Sequence, residues 1–338
     1  MPMTGPPPVL AVGAAVIDEW YAVSNLPEPD GGAFASEVTT AFGGVGANVC
    51  VALDRLGRDV GLVSRVGDDE YGERAREYLA DTGVDASRVS VGDDPSTRSV
   101  ILSDPDGERA IVTAGESFRR LRLDDADREA LAAAETVFLT GYTPDAVSRA
   151  VLDTVESAAD PPALVFDLSG SVEELVGRGT EPETVRRLLH AADLFVADDV
   201  AAAAYFGGPD AAVERVAAAQ RARGGSEPSL TGDGWPRAVL THGADGMTAV
   251  AGGEGTEFDA FDVDVIDATG AGDSFTAGLI DRWIAGGDGG ASRRERAGVA
   301  DGVRFAAAVA AINCTSRFAQ PGLPTRGEVE AFLAERGF

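Results

Sequence analysis

The 338-residue sequence has no lysine; all 28 of its basic side chains are arginine. That excludes a P-loop whose Lys reaches the donor phosphates, a protein kinase built on a strand Lys, and Schiff-base chemistry on a Lys amine. Cysteine and histidine are scarce as well. Cys50 and Cys314 are too few for a disulfide framework, and with only His190 and His242 beside them a Cys/His zinc centre lacks a ligand set. Both thiols are expected to be free and buried. The N-terminal apolar run, Val9 to Ile17, is broken by Asp18, far short of the ~20 residues that span a bilayer, and no basic leader precedes it. The expectation is a soluble, cytoplasmic protein.

Positive charge is outnumbered: 28 basic against 56 acidic residues give a net charge of −28. Such acidity would suit a disordered chain, yet 44% hydrophobic residues and a mean hydropathy of −0.01 supply apolar surface for a core. At roughly 100 to 200 residues per domain, the length suits one large α/β domain with an excursion, or two domains. The negative surface repels phosphate backbones and anionic lipid, and no arginine stripe offsets it, so neither nucleic acid nor membrane is an expected partner. Acidity without lysine points instead to a proteome adapted to multimolar salt, as in a halophilic archaeon, where screening removes the self-repulsion.

Along the chain, strands and helices alternate, which argues a parallel sheet covered by helices. Val9 to Ile17 reads as the first strand. A Gly-rich turn, Gly43-Gly44-Val45-Gly46, opens a helix through Leu56. A strand (Asp59 to Val66) and a helix (Tyr71 to Thr82) follow, then a hairpin, Arg98 to Leu102 and Arg109 to Thr113 around Asp104-Pro105-Asp106-Gly107. The βα alternation resumes with strands at Thr136 to Leu139, Ala163 to Asp167 and Leu194 to Ala197, and with helices at Pro144 to Ser157 and Glu183 to Ala191. A second antiparallel patch is expected from Ala238 to Val263, then helices from Gly272 to Ala285, from Ser292 to Asn313 and from Thr325. Two stretches, 224–236 and 286–290, read as surface insertions. The early strands outside βαβ units would form a small separate sheet covering one end of the main one, as a water-excluding site requires.

The most informative segment is Asp267-Ala268-Thr269-Gly270-Ala271-Gly272-Asp273, followed by an amphipathic run. Small residues admit a ligand to the backbone, and free N–H groups at the helix start would face an anion, with phosphate the natural occupant. Asp273 would either cap the helix or accept a proton from a hydroxyl attacking that phosphate.

The segment is similar to the late signature of the PfkB or ribokinase family of carbohydrate kinases, a D-T-T-G-A-G-D type run from which it departs only at Ala268. The family's early signature is matched by Phe42-Gly43-Gly44-Val45-Gly46-Ala47-Asn48. Asp18, the Val66 to Gly72 run, Thr241-His242-Gly243-Ala244-Asp245-Gly246 and the tail from Ala306 to Pro321 extend the resemblance over nearly the whole chain. It implies one kinase domain over residues 1–338: a Rossmann-type three-layer α/β sandwich with a small β-sheet lid from segments near 14–42 and 96–116. It also implies transfer of the ATP γ-phosphoryl group to a sugar hydroxymethyl group, with Mg²⁺. Asp273 would be the base, and Gly270, Ala271 and Gly272 the anion hole. Asp18, Gly43, Gly44 and Asn48 would hold sugar hydroxyls, and Thr241, Gly243 and Gly246 would border the nucleotide. A monovalent cation such as K⁺ would sit at Asp267, Thr269, Asn313, Ser316 and Phe318, though Phe318 replaces a usual Gly. Lids of this family often pair into homodimers.

Departures bear on the substrate. The family's Asn-x-x-Glu pair becomes Asp198-Asp199-Val200-Ala201, where Asp198 would bind hydrated Mg²⁺ or cap a helix. A ribokinase-like substrate Glu falls at Tyr142, and a polar adenine-pocket position at Ala307. His242 has no evident carboxylate partner, which argues against a triad. Arg98 and Arg109, on the hairpin, are phosphate-clamp candidates, whereas Arg119 and Arg120 are expected in surface ion pairs. A clamp would favour an acceptor that already carries phosphate, such as ribose 1-phosphate. Without one, a free pentose, a ketohexose (fructokinase chemistry) or a nucleoside is favoured. A non-catalytic sugar or nucleotide sensor is the reading from another class, and the retained Asp273 argues against it. A dinucleotide dehydrogenase is discounted, since Gly13-Ala14-Ala15-Val16-Ile17-Asp18 lacks the G-x-G-x-x-G turn.

Overall fold

The computed structural model describes residues 7–222, 237–284 and 298–338. Both expected insertions, and the start of the helix expected from Ser292, lie outside the described residues. Strands β1 (Val9–Val12), β2 (Val16–Val23), β3 (Ala35–Gly43), β4 (Val60–Gly67), β5 (Val89–Gly92), β6 (Arg98–Ser103) and β7 (Arg109–Ala114) occupy the first third. They are followed by β8 (Thr136–Thr140), β9 (Ala163–Asp167), β10 (Leu194–Asp198), β11 (Arg237–Thr241), β12 (Met247–Ala251) and β13 (Glu254–Phe258). The helices are α1 (Val45–Arg55), α2 (Glu70–Ala80), α3 (Asp125–Ala133), α4 (Asp145–Ser157), α5 (Val172–Gly177) and α6 (Pro182–Ala191). After them come α7 (Asp199–Phe206), α8 (Pro209–Ala222), α9 (Ala271–Leu279), α10 (Val299–Asn313) and α11 (Arg326–Glu335).

Nine strands form one sheet in the order β13-β12-β11-β10-β9-β8-β1-β4-β5. From β10 to β5 every pairing is parallel. Strands β1, β8 and β9 are continuous runs of buried residues, as a sheet with helices on both faces demands. Phe138, Phe166 and Phe195 are fully buried and contribute roughly 1.5–3 kcal/mol each. Two apolar clusters flank the sheet, one beneath α1, α9 and α10 and the other beneath α4, α6 and α8. The expected antiparallel patch is present at the end of the same sheet: β11 pairs in parallel with β10, β12 antiparallel with β11, and β13 antiparallel with β12.

The expected strand from Val9 to Ile17 is two strands in two sheets. At Gly13 the chain leaves the large sheet, because a Cβ there would lie 2.5 Å from Gly46 Cα and the close passage of α1 forces the turn. Strand β2 then joins β3, β6 and β7 in a four-stranded sheet of order β3-β2-β6-β7. The small sheet is rooted by a buried polar network. Asp69 caps α2 through Gly72 N and accepts from both Ser96 N and Ser96 Oγ, while Ser117 Oγ accepts from Thr97 N at 2.9 Å. In the other described parts, the helix expected to run from Gly272 to Ala285 passes from α9 into a π-helical turn, Ile280–Ile284. There Asp281, fully buried, accepts from Arg58 and Arg326.

Candidate active site

Helix α9 starts where the sequence places it. Gly270 adopts φ +76°, a left-handed conformation that glycine takes without steric cost, and this turn aims the first amides of the helix outward. Ala271 N–H is occupied by Ala268 O at 3.2 Å, so the expected anion hole is corrected at that position. Among the described residues the N–H groups of Gly272 and Asp273 make no hydrogen bond, so these two are left for an anion.

Asp273 is not a helix cap, since no side-chain cap bond forms at this terminus. Its Oδ2 instead accepts from Asn48 Nδ2 at 2.6 Å. Asn48 Oδ1 accepts in turn from Gln320 Nε2 at 2.7 Å. Asn48, expected on the ligand, therefore spends its amide on the carboxylate. Burial raises the Asp273 pKa to about 6, opposed by the Asn48 bond. Asp18 stands nearby on β2, buried beside Gly43, where a Cβ would lie 2.1 Å from Asp18 Oδ2. Its pKa rises to about 6 through burial, with a Ser99 hydrogen bond opposing and the Asp273 charge adding. Gly44, with φ +97°, carries the chain from β3 into α1.

A third carboxylate escaped the sequence reading. Asp167 ends β9, is 8% exposed, and accepts from Ser169 N and Ser169 Oγ at 2.8 and 3.0 Å. Burial first and the Asp273 charge second raise its pKa to about 7. In sequence it is one Asp at a strand end among many; only the packing of β9 against α9 gives it meaning.

The strand register sorts the arginines. In the small sheet Asp18, Ser99 and Thr113 lie side by side, as do Trp20, Ile101 and Ile111, and Ala22, Ser103 and Arg109. This face looks toward Asp273. Arg98 pairs with Ile17 and so belongs to the opposite face, where its guanidinium lies 4.9 Å from the centre of the Tyr71 ring, which corrects its expected place beside Asp18 in a phosphate clamp. Arg109 Nη1 donates to Thr269 Oγ1 at 2.5 Å and approaches Asp267 Oδ1 at 3.8 Å. It borders a cavity of about 540 Å³ with Trp20, Glu37, Asp267 and Arg317. Arg119 pairs with Glu116 and Arg120 with Asp94, as expected of surface ions.

The sequence profile of the pfkB family carbohydrate kinases matches residues 7–326. The chain belongs to the PfkB family. An ATP-dependent ribose-1-phosphate kinase of Halopiger xanaduensis is 30% identical to this PfkB kinase over 331 residues, covering 97% of this chain and 98% of the relative. A fructokinase of Klebsiella pneumoniae is 26% identical, covering 96% and 99%. Among solved structures, the Arabidopsis thaliana ribokinase complexed with ribose and ATP superposes with a TM-score of 0.76 at 24% identity, covering 97% of this chain and 99% of that one. The fold is the ribokinase fold, and the protein is a sugar kinase.

In this PfkB kinase, Thr241 pairs with Asp198 across β11 and β10, and Gly243 and Gly246 follow at φ +58° and +100°. Ala307 is buried on α10 and lines a cavity of about 440 Å³ with Phe258, Asp259 and Arg304. Asp198 caps α7, accepting from Ala201 N at 2.7 Å. His242 does have a carboxylate partner: Asp199 Oδ1 lies 2.6 Å from Nδ1, and Thr248 Oγ1 lies 3.0 Å from Nε2. The pairing arises because β10 and β11 run side by side.

Among the described residues no three metal-ligating side chains converge. Asp167 and Asp198, hard oxygen donors at the ends of adjacent strands, suit a Mg²⁺ that keeps most of its water. At the turn expected to hold K⁺, Asp267 Oδ1 accepts from Thr269 N and Oγ1, and Oδ2 from Phe318 N. Phe318 keeps the left-handed backbone, at φ +69°. Asn313 Nδ2 reaches Thr269 O at 3.4 Å, Ser316 N bonds Asn313 O, and Asn313 Oδ1 is buried without a partner. The Asp267 carboxylate is thus committed to its own turn, with an arginine beside it. Tyr142, at the expected substrate-Glu position, donates its hydroxyl to Ser169 O at 3.0 Å. Burial, then the Glu174 charge, raise its pKa to about 12.

Proposed function

We propose that this kinase transfers the γ-phosphoryl group of ATP to the hydroxymethyl group of a pentose, with ribose 1-phosphate as the acceptor. The observation that carries the reading is Asp273, held by Asn48 at the start of α9 beside two unoccupied amides and facing Asp18. The similarity to the Halopiger ribose-1-phosphate kinase and the replacement of a substrate Glu by Tyr142 support this acceptor.

Asp18 and the cleared space at Gly43 orient the sugar hydroxyls. Asp273 takes the hydroxymethyl proton as the oxygen attacks the γ-phosphorus and the bond to the β-phosphate oxygen breaks; ADP leaves. Gly272 and Asp273 N–H, with the helix dipole, hold the charge that develops on the transferring group. Mg²⁺ near Asp167 and Asp198 would neutralise donor phosphate charge. The small sheet acts as a lid that excludes water, and its outer face, where Val38 and Val112 are 58% exposed, pairs two copies into a homodimer. The base and ribose of ATP lie along Thr241, Gly243, Gly246 and Ala307. A nucleoside acceptor is the second reading, favoured by the Trp20 cavity, which has room for a nucleobase.

An acceptor panel with ATP in high KCl tests this. Conversion of ribose 1-phosphate to a 1,5-bisphosphate, followed by phosphorus NMR, is the expected result. Turnover restricted to free sugars or nucleosides overturns it.

A further inference from the structure

Resting on the proposed acceptor, we infer that Arg178, just past α5, is the residue that recognises the phosphate already carried by the sugar. Neither sequence motif includes it. Its guanidinium lies 4.8 Å from the centre of the Tyr142 ring, bonds Glu174 Oε1 through Nε and Nη2 at 3.1 and 2.6 Å, and reaches lid Thr113 Oγ1 at 3.5 Å.

Position argues for it. Asp18, Ser99 and Thr113 are neighbours on adjacent strands, which puts Thr113 about 10 Å from Asp18 at ~4.8 Å per strand. A furanose held on Asp18 with its hydroxymethyl group at Asp273 directs the far side of its ring along this row, toward Arg178. The platform under the guanidinium is fixed: Tyr142 is anchored by its hydroxyl to Ser169 O, and Ser169 is a non-glycine residue at φ +62°, a strained geometry that packing must hold. Gly170 leaves room, since a Cβ there would lie 2.8 Å from the Tyr142 hydroxyl.

Charge argues the same way. Asp18, Asp167, Asp198 and Asp273 make the cleft negative, and a phosphate dianion brought near any of these carboxylates is repelled more strongly than in bulk water. A cation must compensate. Arg98 is on the wrong face, and Arg109 is bonded to Thr269. Besides the Tyr142 ring and Thr113, Arg178 is held by an ion pair with Glu174 whose side chains are 40% and 41% exposed, and pairs that exposed are weak. A phosphate dianion can therefore draw the guanidinium fork from Glu174 at little cost.

The test compares kcat/KM for ribose 1-phosphate with kcat/KM for ribose. Removing a charge-assisted hydrogen bond lowers that ratio roughly 10–100-fold in Arg178→Ala, through KM for ribose 1-phosphate. Arg178→Lys recovers part of the loss, and Glu174→Gln, which releases the fork, raises the ratio. Titration calorimetry with ribose 1-phosphate alone shows the same order of affinities. A wild-type enzyme that turns over ribose 1-phosphate while Arg178→Ala keeps the ratio, or loses both activities equally, overturns the role of Arg178 and leaves the acceptor standing. A wild-type enzyme that takes only unphosphorylated acceptors overturns both.

Discussion

Asn48 donates to Asp273 at 2.6 Å across 225 positions of sequence, joining the early glycine turn to the start of α9. The bond favours the ionised carboxylate, so its loss raises the pKa of Asp273, the proposed base. Because Asp273 must be ionised to accept a proton, kcat/KM should fall tenfold per pH unit below about 6. In Asn48→Ala that acid limb moves to higher pH, and a pH–rate profile measures the shift. An unmoved limb would separate the pair.

Asp273→Asn should reduce kcat by about 10³–10⁴-fold, near the upper range for a general base, while leaving circular dichroism unchanged. Single-turnover quench with radiolabelled ATP reads the chemical step. A loss of less than tenfold would remove Asp273 from proton transfer.

Asp167 should lose function and gain stability together. Its pKa rises from the ordinary 3.8 to about 7, so above pH 7 the folded state holds a disfavoured charge, and stability increases as pH falls from 7 toward 4. Asp167→Asn should therefore be more stable than wild type at pH 8, by roughly 2–4 kcal/mol. Urea melts at pH 8 and pH 5 should show the advantage shrinking at the lower pH. Added Mg²⁺ should stabilise wild type more than the variant.

Arg109 supplies positive charge at the turn where the sequence led to a K⁺ site. Exchanging K⁺ for tetramethylammonium at constant ionic strength should change wild-type kcat little. Arg109→Ala should lose about tenfold, a modest share of what a direct oxyanion donor contributes, and regain activity with K⁺. Equal K⁺ dependence in both proteins would contradict this.

The charge of −28 should make stability depend on salt. Raising KCl from 0.1 M, where the Debye length is ~10 Å, to 1 M, where it is ~3 Å, should raise Tm by several degrees or more. Full stability in dilute buffer would count against a halophilic origin.

In the large sheet, β1, β8 and β9 were legible because they are buried on both faces and read as unbroken apolar runs, whereas edge strand β5, with no fully buried residue, was not. The end of β1 was not, because its boundary depends on Gly13 meeting Gly46 across 33 positions, and the apolar run passes straight into β2. Helix α7 is apolar nearly all round (Val200 to Phe206) and α5 has six residues, so neither shows a helical period. In the site, Asp273 and Asn48 stand in motifs whose spacing carries chemistry. Asp167 and Arg178 stand in none, and Gln320, though inside the matching tail, was not singled out there; their roles follow from which strand ends and helix ends the topology brings together.

The small sheet is rooted at one end, by Asp69, Ser96, Thr97 and Ser117, and this makes it a lever. Thr113 and Asp18 lie near that fulcrum, and Arg109 near the far end, some four residues or about 13 Å further along its strand. A tilt that moves the tip by several ångströms moves Asp18 by much less. Arg109 would then part from Thr269 while Asp18 still faces Asp273, so a small tilt would break the tip's contact first and leave the row at its base in place.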